Sequence, residues 1–136
     1  MKYKLIELPA RVDKRGSLGF AQEGDHIPFS VRRIFFLYDI PTGSMRAGHA
    51  HRRQHQYLIM LCGACRVRID DGSDRSTISL SSPQVALYVP PLRWLEIDDF
   101  SAGSVCLVLT SDLYDESDYV RQYEEFSQLA AAIRAH

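Results

Sequence analysis

The residues best suited to chemistry lie in one short run: Arg46-Ala47-Gly48-His49-Ala50-His51, continuing to His55-Gln56. On a strand, residues i and i+2 point to the same face. His49 and His51 therefore aim together, with the small Ala50 facing away. Two converging imidazoles can hold a metal ion. They can also act as an acid–base pair, because the ordinary imidazole pKa of about 6.5 lies near working pH. The bland alternative is a pair of satisfied structural histidines. An Arg and a Gly just ahead of the pair count against it.

Such a pair needs strands to aim it, and the middle of the chain supplies them. Period-two alternation, together with an aromatic and β-branched run at Val31–Tyr38 and a short apolar run at Gln56–Leu61, predicts strands at these two segments and at Cys65–Asp70, Ser76–Leu80, Val85–Val89 and Ser104–Thr110. Asp71-Gly72 is a hairpin-turn signal. Many short strands with frequent turn signals, and no helices between them, predict an all-β sandwich or barrel. From Asp118 to Arg134 the apolar residues change to helical spacing: Val120, Tyr123, Phe126, Leu129, Ala130 and Ile133. A C-terminal helix is expected there, capped by Ser117 or Asp118.

A length of 136 residues fits one domain over 1–136. The formal net charge of −1 gives no reason to expect a nucleic-acid or anionic-membrane partner. No stretch approaches the roughly 18–20 apolar residues of a membrane span, and the N-terminal run does not read as a signal peptide. A cytoplasmic location is the expectation. Cys62, Cys65 and Cys106 form no disulfide framework. Cys62-Gly-Ala-Cys65 is formally C-x-x-C, but no second ligand pair accompanies it, so reduced thiols in or beside strands are expected.

The chain resembles the cupin superfamily. His49-x-His51 followed by Gly63 matches the first cupin motif, with His55 or Gln56 where the motif has Glu. Pro90 to Leu95 aligns with the second motif, so Leu95 stands where the last metal-binding histidine would be. The resemblance implies an all-β cupin fold, a double-stranded antiparallel β-barrel (jelly roll) with a C-terminal helix. A metal held by only two firm ligands is held poorly. No metal and no cofactor are therefore expected.

The resemblance narrows to the sugar 3,4-ketoisomerases of the WxcM-like group, which act on dTDP-4-keto-6-deoxyglucose. It rests on Arg15-Gly16-x-Leu18, on Ile27-Pro28-Phe29 with Arg32-Arg33-Ile34, and on Arg46-x-Gly48-His49-Ala50-His51-Arg52. Gln56, Asp70-Asp71-Gly72, Trp94 and Asp99-Phe100-Ser101 add to it. So does the tail, Tyr114-Asp115-Glu116-x-Asp118-Tyr119-Val120-Arg121-x-Tyr123-x-x-Phe126. The paired GHAH core and YDExDYxRxYxxF tail make a specific signature.

This likeness implies an isomerase that moves a carbonyl from C4 to C3 of a dTDP-linked hexose, supplying deoxyamino sugars for surface glycans. His49 is expected to be the base at C3, and His51 the partner acid or enediolate stabiliser; the reverse assignment is the alternative. Arg46 suits the diphosphate, with Arg15 and Arg33 as further candidates. Trp94 and Tyr38 are candidates for stacking on the base or sugar. Gln56 is expected to orient a histidine or bond the sugar, whereas Tyr119 and Arg121 are read as helix docking. The family also implies a homodimer with exchange of the N-terminal strand, and the KYKLIEL run suits such an edge. Leu95 can neither donate nor accept a proton, so the sequence does not fix the configuration at C4. Two other readings compete: a metal-dependent cupin enzyme and a non-catalytic sugar-nucleotide-binding cupin.

Overall fold

A computed structural model describes residues 1–135. The elements run β1 (Lys4–Glu7), β2 (Ala10–Asp13), β3 (Gly16–Gly19), β4 (Arg33–Leu37), β5 (Arg46–His51) and β6 (Gln56–Cys62). They continue with β7 (Cys65–Asp70), β8 (Arg75–Leu80), β9 (Val85–Val89), β10 (Trp94–Asp98) and β11 (Val105–Thr110). A 3-10 turn at Glu116–Asp118 leads into β12 (Tyr119–Val120) and the helix α1 (Tyr123–Arg134).

Two five-stranded antiparallel sheets carry the fold. One has the order β1-β9-β6-β11-β4, the other β12-β5-β10-β7-β8, and β2 and β3 form a separate hairpin. The non-sequential neighbours are those of a jelly roll, as the cupin likeness predicts. Alternation builds the core. Leu58 and Met60 of β6 and Cys106 and Val108 of β11 meet Val67 and Ile69 of β7 and Leu95 and Ile97 of β10. The alternate residues of the first sheet, including Tyr57, Ile59 and Tyr88, pack outward beneath Leu8, Ile27 and Phe29. On the outer face of the second sheet, Ala50, Trp94 and Val120 lie under Phe126 and Ala130 of α1.

β7 and β9 fall where the alternation predicts them, while the strand expected at Val31–Tyr38 is confined to Arg33–Leu37. β10 is absent from the expected strands although Leu95 and Ile97 are buried and Glu96 and Asp98 half-buried in alternation; it opens just after the Pro90-Pro91 pair and Leu92, which sits at φ 58. The helix is shorter than expected at its N-terminal end. Val120 fits the helical spacing, yet it is a strand residue paired with Ala50 of β5. Neither Ser117 nor Asp118 caps α1. Gln122 occupies that position without a side-chain bond, and Asp115 caps the 3-10 turn by accepting from the Ser117 amide.

α1 is anchored at both ends of its buried face. The Tyr123 hydroxyl donates to Asp70 Oδ2 at 2.5 Å, and Arg75 stacks on the Tyr123 ring and pairs with Asp70. Gly72, in the β7–β8 turn, lies so close to the helix that an added Cβ would stand 2.4 Å from the Ala130 Cβ. No described helix is long and apolar enough to cross a membrane. β1 pairs with β9 of its own chain. All three cysteines are free thiols; Cys65 and Cys106 are buried and Cys62 is exposed.

Candidate active site

The strand that carries the histidines is irregular just before them. Ala47 and Gly48 both adopt left-handed backbone, with φ of 67 and 79. Against β10, Leu95 pairs with His49 and Glu96 with Ala47, so Gly48 is an extra residue in a bulge. Bulges re-aim the side chains that follow them, and a non-glycine residue at positive φ stores strain of the kind found at functional sites. The bulge presents His49 to a cavity of about 330 Å³ between the two sheets.

One wall of that cavity is apolar: Phe35, Leu37, Leu58 and Val108 of the first sheet. Gln56 adds a buried amide to the same side. The second sheet contributes His49, Leu95 and Ile97, and Tyr119 and Arg121 close one side. Arg46 lies where this cavity meets a smaller groove lined by Phe36, Tyr38 and Asp39.

His49, His51 and Tyr119 form a three-ring cluster. The two imidazoles stand 4.9 Å apart and nearly perpendicular, and Tyr119 lies 4.9 Å from His49 and 4.3 Å from His51. Burial, then the neighbouring charge of His51 and of Arg121, pushes the His49 pKa down to about 4. At neutral pH its ring is uncharged and free to accept a proton. His51 is only 3 % exposed and does not line the cavity. Its Nδ1 meets Asp118 Oδ2 at 3.0 Å, and its Nε2 lies 3.3 Å from the Gln54 amide nitrogen. Burial lowers its pKa as well, against the pull of Asp118.

At the cavity edge Arg121 is held rigidly. Its guanidinium lies 4.3 Å above the Tyr119 ring and bonds Glu116 twice, at 2.7 and 2.9 Å. The Tyr114 hydroxyl donates to the same carboxylate at 2.6 Å. Together they hold the Glu116 carboxyl down at about 2. Arg33 stacks over Phe35 and Tyr114, and its buried Nε and Nη2 have no hydrogen-bond partner among the described residues.

The structure thus gathers His49, Arg46 and Gln56 at one cavity, with His51 behind His49 and Arg33 beside Phe35. Tyr38 is 60 % exposed just past the end of β4, in the adjoining groove, beside Phe36. Arg15 sits in the β2–β3 turn, paired with Asp13, and does not line the cavity. Trp94 does not reach the cavity. It lies on the opposite face of β10, edge-on to Tyr123 and near Phe126, with its Nε1 donating to Glu96. Alternation explains this: Leu95 faces inward, so Trp94 faces out. Sequence reasoning read Tyr119 and Arg121 as docking residues, and read Asp118 as a cap. The tail motif was their signal, but nothing in its spacing showed that it folds back onto β5.

A metal ion does not fit these donors. Both nitrogens of His51 are already engaged within the protein, and Leu95 offers no ligand atom. Among the described residues no three His, Cys, Asp or Glu side chains are grouped to hold one.

A family model described as "FdtA: WxcM-like, C-terminal" matches residues 1–131. The chain is 44% identical over 133 residues to TDP-4-oxo-6-deoxy-alpha-D-glucose-3,4-oxoisomerase of Aneurinibacillus thermoaerophilus, covering 98% of this chain and 96% of that one. A crystal structure of a 3,4-ketoisomerase from Helicobacter canadensis superposes with a TM-score of 0.93 at 37% identity, over 96% of this chain and 98% of that one. A His-to-Asn variant of the 3,4-ketoisomerase QdtA from Thermoanaerobacterium thermosaccharolyticum, in complex with TDP-4-keto-6-deoxyglucose, superposes with a TM-score of 0.93 at 34% identity, over 96% of this chain and 95% of that one. With its bulged histidine strand, its folded-back tail and these full-length likenesses, the chain belongs to the WxcM-like family of sugar 3,4-ketoisomerases.

Proposed function

We propose that this protein isomerises a TDP-linked 4-keto-6-deoxyhexose to its 3-keto isomer, with His49 moving the proton. The observation that carries the reading is an uncharged His49 lining a half-apolar cavity whose edge holds Arg46 and Arg121. The C4 ketone acidifies the C3 hydrogen. His49 takes that proton, and the C3–H electrons form the C3=C4 bond of an enediolate. The proton returns to C4, while the O3 hydroxyl proton passes to O4 and leaves a ketone at C3. Hydrogen count and oxidation level balance within the sugar, so the step needs no redox partner.

In this reading Arg46 and Arg121 take the diphosphate, and Tyr38 in the adjoining groove stacks on the thymine. Arg33 brings a cation whose buried Nε and Nη2 lack partners among the described residues, which suits an oxygen of the substrate. Gln56 bonds the sugar from the apolar wall. Trp94 and Arg15 have no such role within one chain.

The chain is further read as one domain and as half of a homodimer. Ile34 and Phe36 of edge strand β4, with Tyr38 just past its end, expose an apolar row. The β2–β3 hairpin is exposed along its whole length, and such a hairpin is marginal alone. A cytoplasmic location is part of the same reading, supported by three unpaired thiols.

Proton NMR of TDP-4-keto-6-deoxyglucose in D₂O with chelator-treated protein tests the proposal. The expected result is the 3-keto isomer, with deuterium entering the ring. Recovery of turnover only on adding a divalent metal would move the assignment to a metal-dependent enzyme. Broadened thymine signals without turnover would make the chain a binding protein.

The low His49 pKa gives a second expectation. A base works when deprotonated, so activity is present above its pKa and is lost as pH falls through it. The acid limb of kcat/KM, which reports the free enzyme, should lie near pH 4. Bound diphosphate favours the charged imidazole, so the limb of kcat should lie higher. A kcat/KM limb at the ordinary imidazole value of about 6.5 would contradict this electrostatic account.

A further inference from the structure

Asp118 is a carboxylate with only 2 % exposure, and the proton transfer described above makes no use of it. It ends the 3-10 turn and immediately precedes β12, whose Tyr119 pairs with His51 of β5. From there it collects donors from three consecutive residues. Its Oδ1 accepts the Arg53 amide at 2.7 Å, its Oδ2 accepts the Gln54 amide at 3.3 Å, and its main-chain oxygen accepts the Arg52 amide at 2.9 Å. The Oδ2 atom also faces His51 Nδ1 at 3.0 Å.

A carboxylate can only accept, so the His51 proton sits on Nδ1. Nε2 is then bare, and the Gln54 amide donates to it across 3.3 Å. His51 is thus bonded on both nitrogens inside the protein and has neither to offer a substrate. What it presents instead is a ring. That ring and the Tyr119 ring, 4.3 Å from each other, pack together against one side of His49, at centroid separations of 4.9 Å each. Asp118 fixes both of these packing rings, one through a hydrogen bond and the other through the chain.

We propose that Asp118 is a positioning residue for the isomerase: acting through His51 and Tyr119, it holds the His49 imidazole at the angle proton transfer requires. The proposal rests on the ketoisomerase reading and refines it. His51 becomes part of the support for the base and is no longer its acid partner. The rate depends on such support because small misplacements of a reacting group are costly. A displacement near 1 Å can remove about 10²-fold in rate.

The test pairs one variant with one measurement on the unaltered protein. Asp118→Asn keeps the shape but supplies one acceptor oxygen for donors that now use two. It should lower kcat roughly 10- to 100-fold, with KM changed less than about twofold, because no substrate contact is removed. Side-chain 15N–1H spectra of the wild-type histidines should show neutral His51 protonated at Nδ1 and not at Nε2. In the variant that resonance should shift to the Nε2–H tautomer or to a mixture. A purely architectural role would lower stability while leaving kcat and the tautomer unmoved. Wild-type kcat in folded Asp118→Asn, or an Nε2–H His51 in the wild type, would overturn the proposal. Wild-type protein with no isomerase activity would overturn the functional reading, and this refinement with it.

Discussion

His49→Gln should lower kcat by at least about 10²-fold and leave the affinity for TDP nearly unchanged. Glutamine fills a similar volume and can still donate or accept a hydrogen bond. It cannot take a proton. A well-placed general base contributes roughly 10²–10⁴ to the rate, so losing it should remove an effect of that size. The affinity should survive because the arginines proposed to hold the diphosphate, Arg46 and Arg121, are separate side chains at the cavity edge. Steady-state rates by NMR, with TDP binding measured by calorimetry, separate the two effects. A variant with wild-type turnover would take His49 out of the reaction. Weakened TDP binding with unchanged kcat would make it a ligand contact.

Phe126→Ala should destabilise the fold by about 3–5 kcal/mol, the usual cost of emptying a buried aromatic site. Phe126 is fully buried, 5.9 Å from the Trp94 ring and 5.7 Å from Tyr123. α1 has only 12 residues, a length at which an isolated helix is marginal in water. Its order therefore depends on docking, and Phe126 is the largest side chain it buries. Denaturant titration should show a lower midpoint with a similar slope. A loss below about 1 kcal/mol would show that α1 adds little to the folded state.

The strands that could be read directly were those with one face in the core and one toward solvent. Cys65–Asp70 alternates cleanly because Val67 and Ile69 enter the core while Arg66 and Arg68 stay outside. Tyr57 to Met60 are buried on both faces, so period two does not separate them, and an apolar run had to stand in for alternation. The tail misled for a different reason. Val120, Tyr123 and Phe126 keep a helical spacing, yet Val120 pairs as a strand, and only a partner far away in the chain decides that. The His49–His51 pair was legible as chemistry, because i, i+2 spacing on a strand fixes proximity. Their different settings, His49 lining the cavity and His51 buried behind it, were not. Those depend on a bulge at Gly48 and on Asp118, which lies 67 residues from the imidazole it meets. Trp94 shows the limit from the other side: an aromatic beside the motif invites a stacking role, but its strand phase turns it under the helix.

The three thiols divide sharply. Burial pushes Cys65 up to about 11 and Cys106 up to about 12, so both stay protonated and unreactive at neutral pH. Cys62 alone is exposed. It closes β6 four residues beyond Leu58 of the cavity wall, or roughly 13 Å along the strand. A maleimide fluorophore should therefore attach at one position without engineering. Carried on the strand that lines the cavity yet clear of its contents, it would give a ready-made optical reporter of ligand entry.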